Sequence, residues 1–200
     1  MSRDNILSAI KASQPSSSSL PDLHSFSGSQ HPVEENFITV LKAIGSEVLK
    51  VKNKQEAVTE LQKRTLPHQR AVTAIAAFPF GEYIPSTTDG HTLENVFLSI
   101  VEGEFGVAEN GAIWITETSM SVRALPFICE RLAIILPADK IVPTLHEAYE
   151  KIGLSDHAFG SFIAGPSKTA DIEQSLVLGA HGAKGLLVLL IGEEGLKRIE

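Results

Sequence analysis

The chain has 200 residues, with 17 Lys and Arg against 24 Asp and Glu, a formal net charge of −7. Hydrophobic residues at 43% and charged residues at 20% suit one packed domain with a small appendage, and exclude global disorder, a collagen-like chain and a coiled coil. The acidic balance argues against a protein that coats nucleic acid, because a phosphate backbone is bound through clustered Lys and Arg; a local anion site stays open.

Residues 2–12 read as a short helix, with Ser2 as N-cap and Ile6, Leu7 and Ile10 on one face. So short a helix needs a partner for its stripe. Residues 13–32, with the run Ser16 to Ser19 and Pro15, Pro21 and Gly28, read as a flexible Ser-rich linker. The chain thus divides into an arm at 1–32 and a domain at 33–200. In the domain, Val33 to Ile44 predicts a helix ended by Gly45, Glu47 to Val51 a strand, and 54–64 an amphipathic helix. Val72 to Ala77, Leu98 to Val101 and Ala112 to Thr116 predict strands. Leu132 to Leu136, closed by Pro137, suits a strand buried on both faces. Lys140 to Ile152 predicts a helix with Val142, Leu145, Tyr149 and Ile152 inward. Ala158 to Ala164 and Leu186 to Ile191 predict the last strands. Strands alternating with helices give an α/β fold with a mostly parallel sheet covered by helices.

Cysteine and histidine usage narrows the chemistry. One cysteine, Cys129, lies among apolar residues and reads as an inert buried thiol. It provides no disulfide and no iron–sulfur cluster, which takes about four thiolates. The seven histidines lack HxH and HExxH spacing, so a histidine-rich metal site is not expected, and no cofactor is expected on this chain. No segment reaches the roughly 18 apolar residues of a membrane helix, and the N-terminus lacks a signal-peptide core. The expectation is a cytoplasmic protein with no membrane span and no nucleic-acid partner.

Open α/β sheets bind ligands beyond the carboxyl ends of their strands, so Gly-rich polar loops next to strands are the candidates. In residues 104–116, Glu109-Asn110-Gly111 reads as a hairpin turn or as an elbow presenting Glu109 to a ligand. The second loop, Gly165-Pro-Ser167-Lys168-Thr169-Ala-Asp171-Ile-Glu173, resembles a phosphate cradle in composition without P-loop spacing; a capped structural loop is the equal alternative. His181, between glycines, is a hydrogen bonder or a proton-transfer candidate. Arg123 pairs with a carboxylate of the chain or with an anionic ligand. The loops around Glu109 and around Lys168–Glu173 are expected to converge on one pocket, with Arg123 able to reach the same space.

The segments Val107–Thr116, Lys140–Ala148 and above all Gly165–Gly182, with Met1–Leu7, resemble the LUD domain family, and within it the C-type lactate-utilisation members. The resemblance implies the fold shared by glucosamine-phosphate isomerases, ribose-phosphate isomerases and CoA transferases. It also implies a cluster-free subunit acting with two iron–sulfur partner proteins to oxidise L-lactate to pyruvate. Asn110 stands where many members have Thr, and Arg123 matches the family's Arg with a small offset. The alternative is a free-standing enzyme or binding protein for a small anion, such as a phosphosugar, CoA thioester or folate-like ligand. In a CoA-transferase-like reading Glu109 would be the nucleophile.

Overall fold

A computed structural model describes residues 2–19, 32–153, 157–172 and 175–192. The chain opens with α1 (Arg3–Ala12), whose N-cap Ser2 accepts from the Asn5 N–H. After it come α2 (Val33–Ala43), β1 (Glu47–Val51), α3 (Lys54–Lys63), β2 (Ala71–Thr73), β3 (Glu82–Tyr83) and a 3-10 turn at Gly90–Leu93. β4 (Leu98–Glu102), β5 (Phe105–Val107), β6 (Ala112–Thr116), α4 (Glu117–Met120) and α5 (Leu125–Ile128) lead to β7 (Arg131–Pro137). β8 (Ile141–Val142), α6 (Leu145–Ile152), β9 (Gly160–Ile163), β10 (Lys168–Ile172), β11 (Ser175–Leu178) and β12 (Gly185–Ile191) complete the order. Of the Ser-rich linker, residues 20–31 lie outside the described residues.

The main sheet has six strands in the order β1-β12-β7-β4-β2-β3, and every pairing in it is parallel. Its central strands are continuous apolar runs because both faces are buried. Leu132, Ile134, Leu136, Leu186, Val188 and Leu190 point to one face, where Phe37 and Leu41 of α2 and Ile113 and Ile115 of β6 meet them. Ala133, Ile135, Leu187, Leu189 and Ile191 point to the other, against Ala57, Val58 and Leu61 of α3. The α/β reading with a mostly parallel sheet therefore holds.

A second sheet, ordered β8-β5-β6-β9, lies over the first face. Phe105, Val107 and Ala112 on its outer side pack with Ala148 of α6. The layers are thus α3, main sheet, small sheet with α2, and α6. Sequence periodicity did not separate the two sheets, since β6 is nearly as apolar as the parallel strands.

Other departures have local causes. The predicted helix from Lys140 begins only at Leu145, because Pro143 lacks an N–H and disfavours helix at Val142. Instead β8 pairs with β5, and the Gly106 and Ala108 N–H groups donate to the Lys140 and Val142 carbonyls at 2.9 Å each. Thr144 caps α6, its hydroxyl accepting from the Glu147 N–H and donating to the Glu147 carboxylate at 3.2 Å each. Tyr149, expected inward, is 62% exposed, its ring edge-on to Phe162. β2 stops at Thr73, whose hydroxyl accepts from the Ile75 N–H at 3.1 Å and turns the chain. The loop expected over Gly165–Glu173 forms β10, paired antiparallel with β11.

Gly160 is required by close approach. A Cβ there would lie 2.2 Å from Trp114 Cζ2, in a ring cluster where Trp114 and Phe162 centroids are 4.7 Å apart. Gly160→Ala is expected to cost about 1–3 kcal/mol, the usual range for overpacking, read as a lower urea midpoint with an unchanged denaturant slope.

Candidate functional site at the carboxyl edge of the sheet

Two ends of the main sheet hold the predicted site residues, and they hold different ones. At the amino edge, Gly111 and Gly165 both close on Ile44, the C-cap of α2. A Cβ on Gly111 would lie 3.3 Å from Ile44 Cδ1, and one on Gly165 3.2 Å from the Ile44 carbonyl oxygen. The two predicted loops therefore do meet. Their charges, however, serve helix ends. The Lys168 ammonium donates to the Ile44 carbonyl at 2.5 Å, a cation at a helix C-terminus. The Glu109 carboxylate accepts from the Leu145 N–H at 2.8 Å, an anion at the N-terminus of α6. Asn110 closes the hairpin by accepting from the Ala112 N–H at 2.9 Å, and Gly111 takes φ +70°.

The Ser167 N–H donates to the Ala183 carbonyl at 2.9 Å, and its carbonyl accepts from the Gly179 N–H at 3.0 Å. Thr169 pairs with Val177 in the β10–β11 hairpin. Asp171 lies on β10, and Glu173 lies outside the described residues. Gly165, Ser167, Lys168 and His181 line a cleft of about 400 Å³ beside Phe127.

Arg123 stands elsewhere, and topology explains why. β6 and β9 pair antiparallel, with Thr116 opposite Gly160 and Ile113 opposite Ile163. Gly111 and Gly165 sit at the second end; Glu117, Phe159 and Arg123 gather at the first. The four steps of β6 separate them by about 14 Å at ~3.4 Å per residue. The expectation that Arg123 joins the two loops in one pocket is corrected accordingly.

The Arg123 end coincides with the crevice of the main sheet. From β2 the chain moves outward to β3, whereas from β4 it moves inward to β7. The carboxyl ends of β2 and β4 thus open a topological switch point, the usual ligand position in such sheets. A cleft of about 700 Å³ lies there, lined by Ala74, Tyr83, Ser86, Glu117, Thr118, Ser121, Val122 and Arg123. Arg123 Nε and Nη2 donate to the same oxygen, Oε2 of Glu117, at 3.2 and 2.7 Å. The guanidinium lies 5.1 Å from the Phe159 ring centroid, which fixes its plane. Beneath it, Glu104 Oε1 accepts from the Ser119 hydroxyl at 2.7 Å and the Thr116 hydroxyl at 3.2 Å, pinning α4 to the end of β4.

Ser121 has φ +58° and ψ −58°, and the Val122 N–H donates across it to the Met120 carbonyl at 2.7 Å. This γ-turn with positive φ is rare and strained for a residue with a Cβ, on the order of 1–3 kcal/mol. Buried Met120 and Leu125 hold it from both sides, and the Ser121 hydroxyl reaches the Ala74 carbonyl at 3.4 Å. Glu117, Ser121, Tyr83 and Ser86 were not singled out from sequence.

The arrangement defines an α/β protein with an arginine-centred cleft at its switch point. In overall fold it is similar to a DUF162 family protein from Deinococcus radiodurans, with a TM-score of 0.61 and 16% identity over 80% of this chain and 96% of that one. The LUD domain family model matches residues 89–191, from the 3-10 turn to the end of β12, and the chain belongs to the LUD domain family. It is 32% identical over 107 residues to lactate utilization protein C of Bacillus pumilus, covering 50% of this chain and 45% of that one. With lactate utilization protein C of Geobacillus kaustophilus it shares 33% identity over 96 residues, covering 44% and 40%. The matches thus span less than half the length of these relatives. No helix of the described residues is long and apolar enough to cross a membrane.

The Arg123 guanidinium holds the Glu117 carboxyl below its ordinary range. A carboxyl whose folded pKa is depressed keeps its ion pair above the unfolded value and loses it as pH falls through the folded one. In a carboxyl-observed NMR titration, Glu117 should protonate below about pH 4.3, the free-glutamate value, and Arg123→Ala should move the midpoint up. For the helix-end charges, Glu109→Gln and Lys168→Ala should each cost about 0.3–1 kcal/mol in urea unfolding. Cys129 is buried, and burial pushes its thiol pKa up, so thiol reagents should label it only at the rate of unfolding.

Proposed function

We propose that this chain serves lactate utilisation as a cluster-free subunit beside iron–sulfur partner proteins, in the cytoplasm, holding the 2-hydroxy acid or its 2-oxo product by the carboxylate. The observation that carries the reading is Arg123 at the switch-point cleft, in a chain whose relatives include proteins named lactate utilization protein C. Glu117 engages Arg123 through one carboxylate oxygen only. A small carboxylate offering both oxygens makes the parallel two-bond pair that guanidinium favours, and so displaces Glu117. Hydroxyls of Tyr83, Ser86, Thr118 and Ser121 share the lining and are the partners for a 2-hydroxyl or 2-oxo group. Electron transfer falls to the partners, because one thiol in the whole chain supplies no cluster. Residues 33–200 form the binding domain and 1–32 its appended arm.

The reading is tested by titrating purified protein with L-lactate and pyruvate in a calorimeter. Arg123→Ala should weaken binding roughly 10- to 100-fold, the worth of a charge-assisted pair at 1.5–3 kcal/mol. Glu117→Gln should tighten binding, since the competing carboxylate is gone. Wild-type protein that binds neither acid, together with an Arg123→Ala strain that still grows on lactate, would remove the assignment.

A further inference from the structure

The outer face of the small sheet holds a cleft of about 230 Å³ that lactate binding at Arg123 leaves unused. Strand register builds its wall. Phe105 of β5 stands opposite Trp114 of β6, and Trp114 opposite Phe162 of β9, so the three rings share one row and one face. β5 pairs parallel with β8 from Gly106 and Ile141 onward, which brings Lys140, one residue before β8, level with Phe105 in the same row. The next pair on this face is Thr116 with Gly160, a short side chain beside a glycine. α6 covers the face at Ala148 and ends at Ile152, and the space past its end is the cleft. Phe105, Trp114 and Ile152 supply its apolar walls, and the exposed Lys140 and Lys151 line it as well. Charge in the lining is not balanced. Among the described residues neither lysine has an ion pair, and His157 adds a third group able to carry positive charge. Glu104 is the one carboxylate of the lining, and its Oε1 is already held by the Thr116 and Ser119 hydroxyls. Lys151 has a structural task, 5.1 Å from the Phe105 ring centroid and in the last turn of α6, where the helix dipole favours a cation. Among the described residues Lys140 has no such contact.

We propose that this cleft binds a monocyclic aromatic carboxylate, its ring against Trp114 and Phe105 and its acid group on the Lys140 and Lys151 ammonium groups. Size sets the class. The cleft equals the space of about eight waters at ~30 Å³ each, room for one six-membered ring with an acid group and too little for a nucleotide. The lining sets the chemistry. A flat apolar ring leaves water for the faces and edges of other rings, while each ammonium gives a charge-assisted hydrogen bond to a carboxylate oxygen. A neutral ring would leave the lysines unanswered, and a small inorganic anion would leave the aromatic walls unfilled. The cleft shares no lining residue with the one around Arg123, so the inference stands apart from what Arg123 binds.

Trp114 is the single tryptophan of the chain, so tryptophan fluorescence of the full chain reports this cleft. Titration with benzoate should change it saturably, with a dissociation constant in the millimolar range or below, as suits so small a ligand. Benzamide keeps the ring without the charge, and cyclohexanecarboxylate keeps the charge without the flat ring; each should bind at least about fivefold more weakly. Lys140→Gln and Lys151→Gln should each weaken benzoate about tenfold, the loss of one charge-assisted bond, and added salt should weaken it further. Urea unfolding of both variants should stay near wild type, because both side chains are exposed. Arg123→Ala should leave the benzoate titration unchanged, since that guanidinium lines the other cleft. A response that does not saturate, equal binding of benzamide or cyclohexanecarboxylate, or benzoate binding untouched by both lysine substitutions would overturn the proposal. Loss of benzoate binding in Arg123→Ala would place the acid in the other cleft and overturn it equally.

Discussion

A parallel sheet covered on both faces dictates where this protein can be polar. β7 and β12 alternate their side chains between two apolar clusters, so a charge placed mid-strand would be buried without a partner, at a cost no local contact offsets. Polar groups are driven to the strand ends. The ends differ, because parallel strands expose N–H groups at one edge and carbonyls at the other, and because the chain's path opens a crevice only between the carboxyl ends of β2 and β4. At the amino edge, loops pack over Ile44 and leave a smaller cleft beside Phe127.

This constraint explains the fate of the Gly165–His181 string. Its composition fits a ligand loop, and its cation is real, but Lys168 meets the terminal carbonyl of α2 and Glu109 meets the first N–H of α6. Each charge has the sign that the helix dipole favours at that end. Together they fasten the small sheet, α2 and α6 around Ile44, a structural task that asks for the same residue types as anion binding. Sequence composition cannot separate the two, because a helix terminus and a bound anion present the same partial charges to a side chain.

What was legible followed from strong periodicity. The stripes of α2 and α3, the apolar runs of β7 and β12, the Ser2 cap and the Asn110-Gly111 turn all have one-dimensional signatures, and the structure keeps them. What was not legible depends on partners distant in sequence. β8 exists because β5 passes alongside, β3 because β2 lends it two pairings, and Tyr149 meets the core only by the edge of Phe162. The site shows the same divide. Arg123 was readable as a cation seeking an anion, while the strained turn at Ser121 was not, since Ser gives no hint of positive φ.

That strain has a consequence for the cleft. Ser121 keeps its γ-turn because Met120 and Leu125 are anchored in the core on either side, while Glu104 holds α4 through Thr116 and Ser119. Relaxing the turn would swing Val122 and Arg123 away from β2, and with them the pairing to Glu117. The position of the guanidinium is therefore set by packing below it rather than by its own ion pair, which is exposed and worth little by itself. On the proposed reading, a carboxylate entering from solvent would meet an arginine already oriented by Phe159 and by the strained backbone. It would then have to displace a single, solvent-exposed carboxylate oxygen, a condition under which binding costs little in reorganisation.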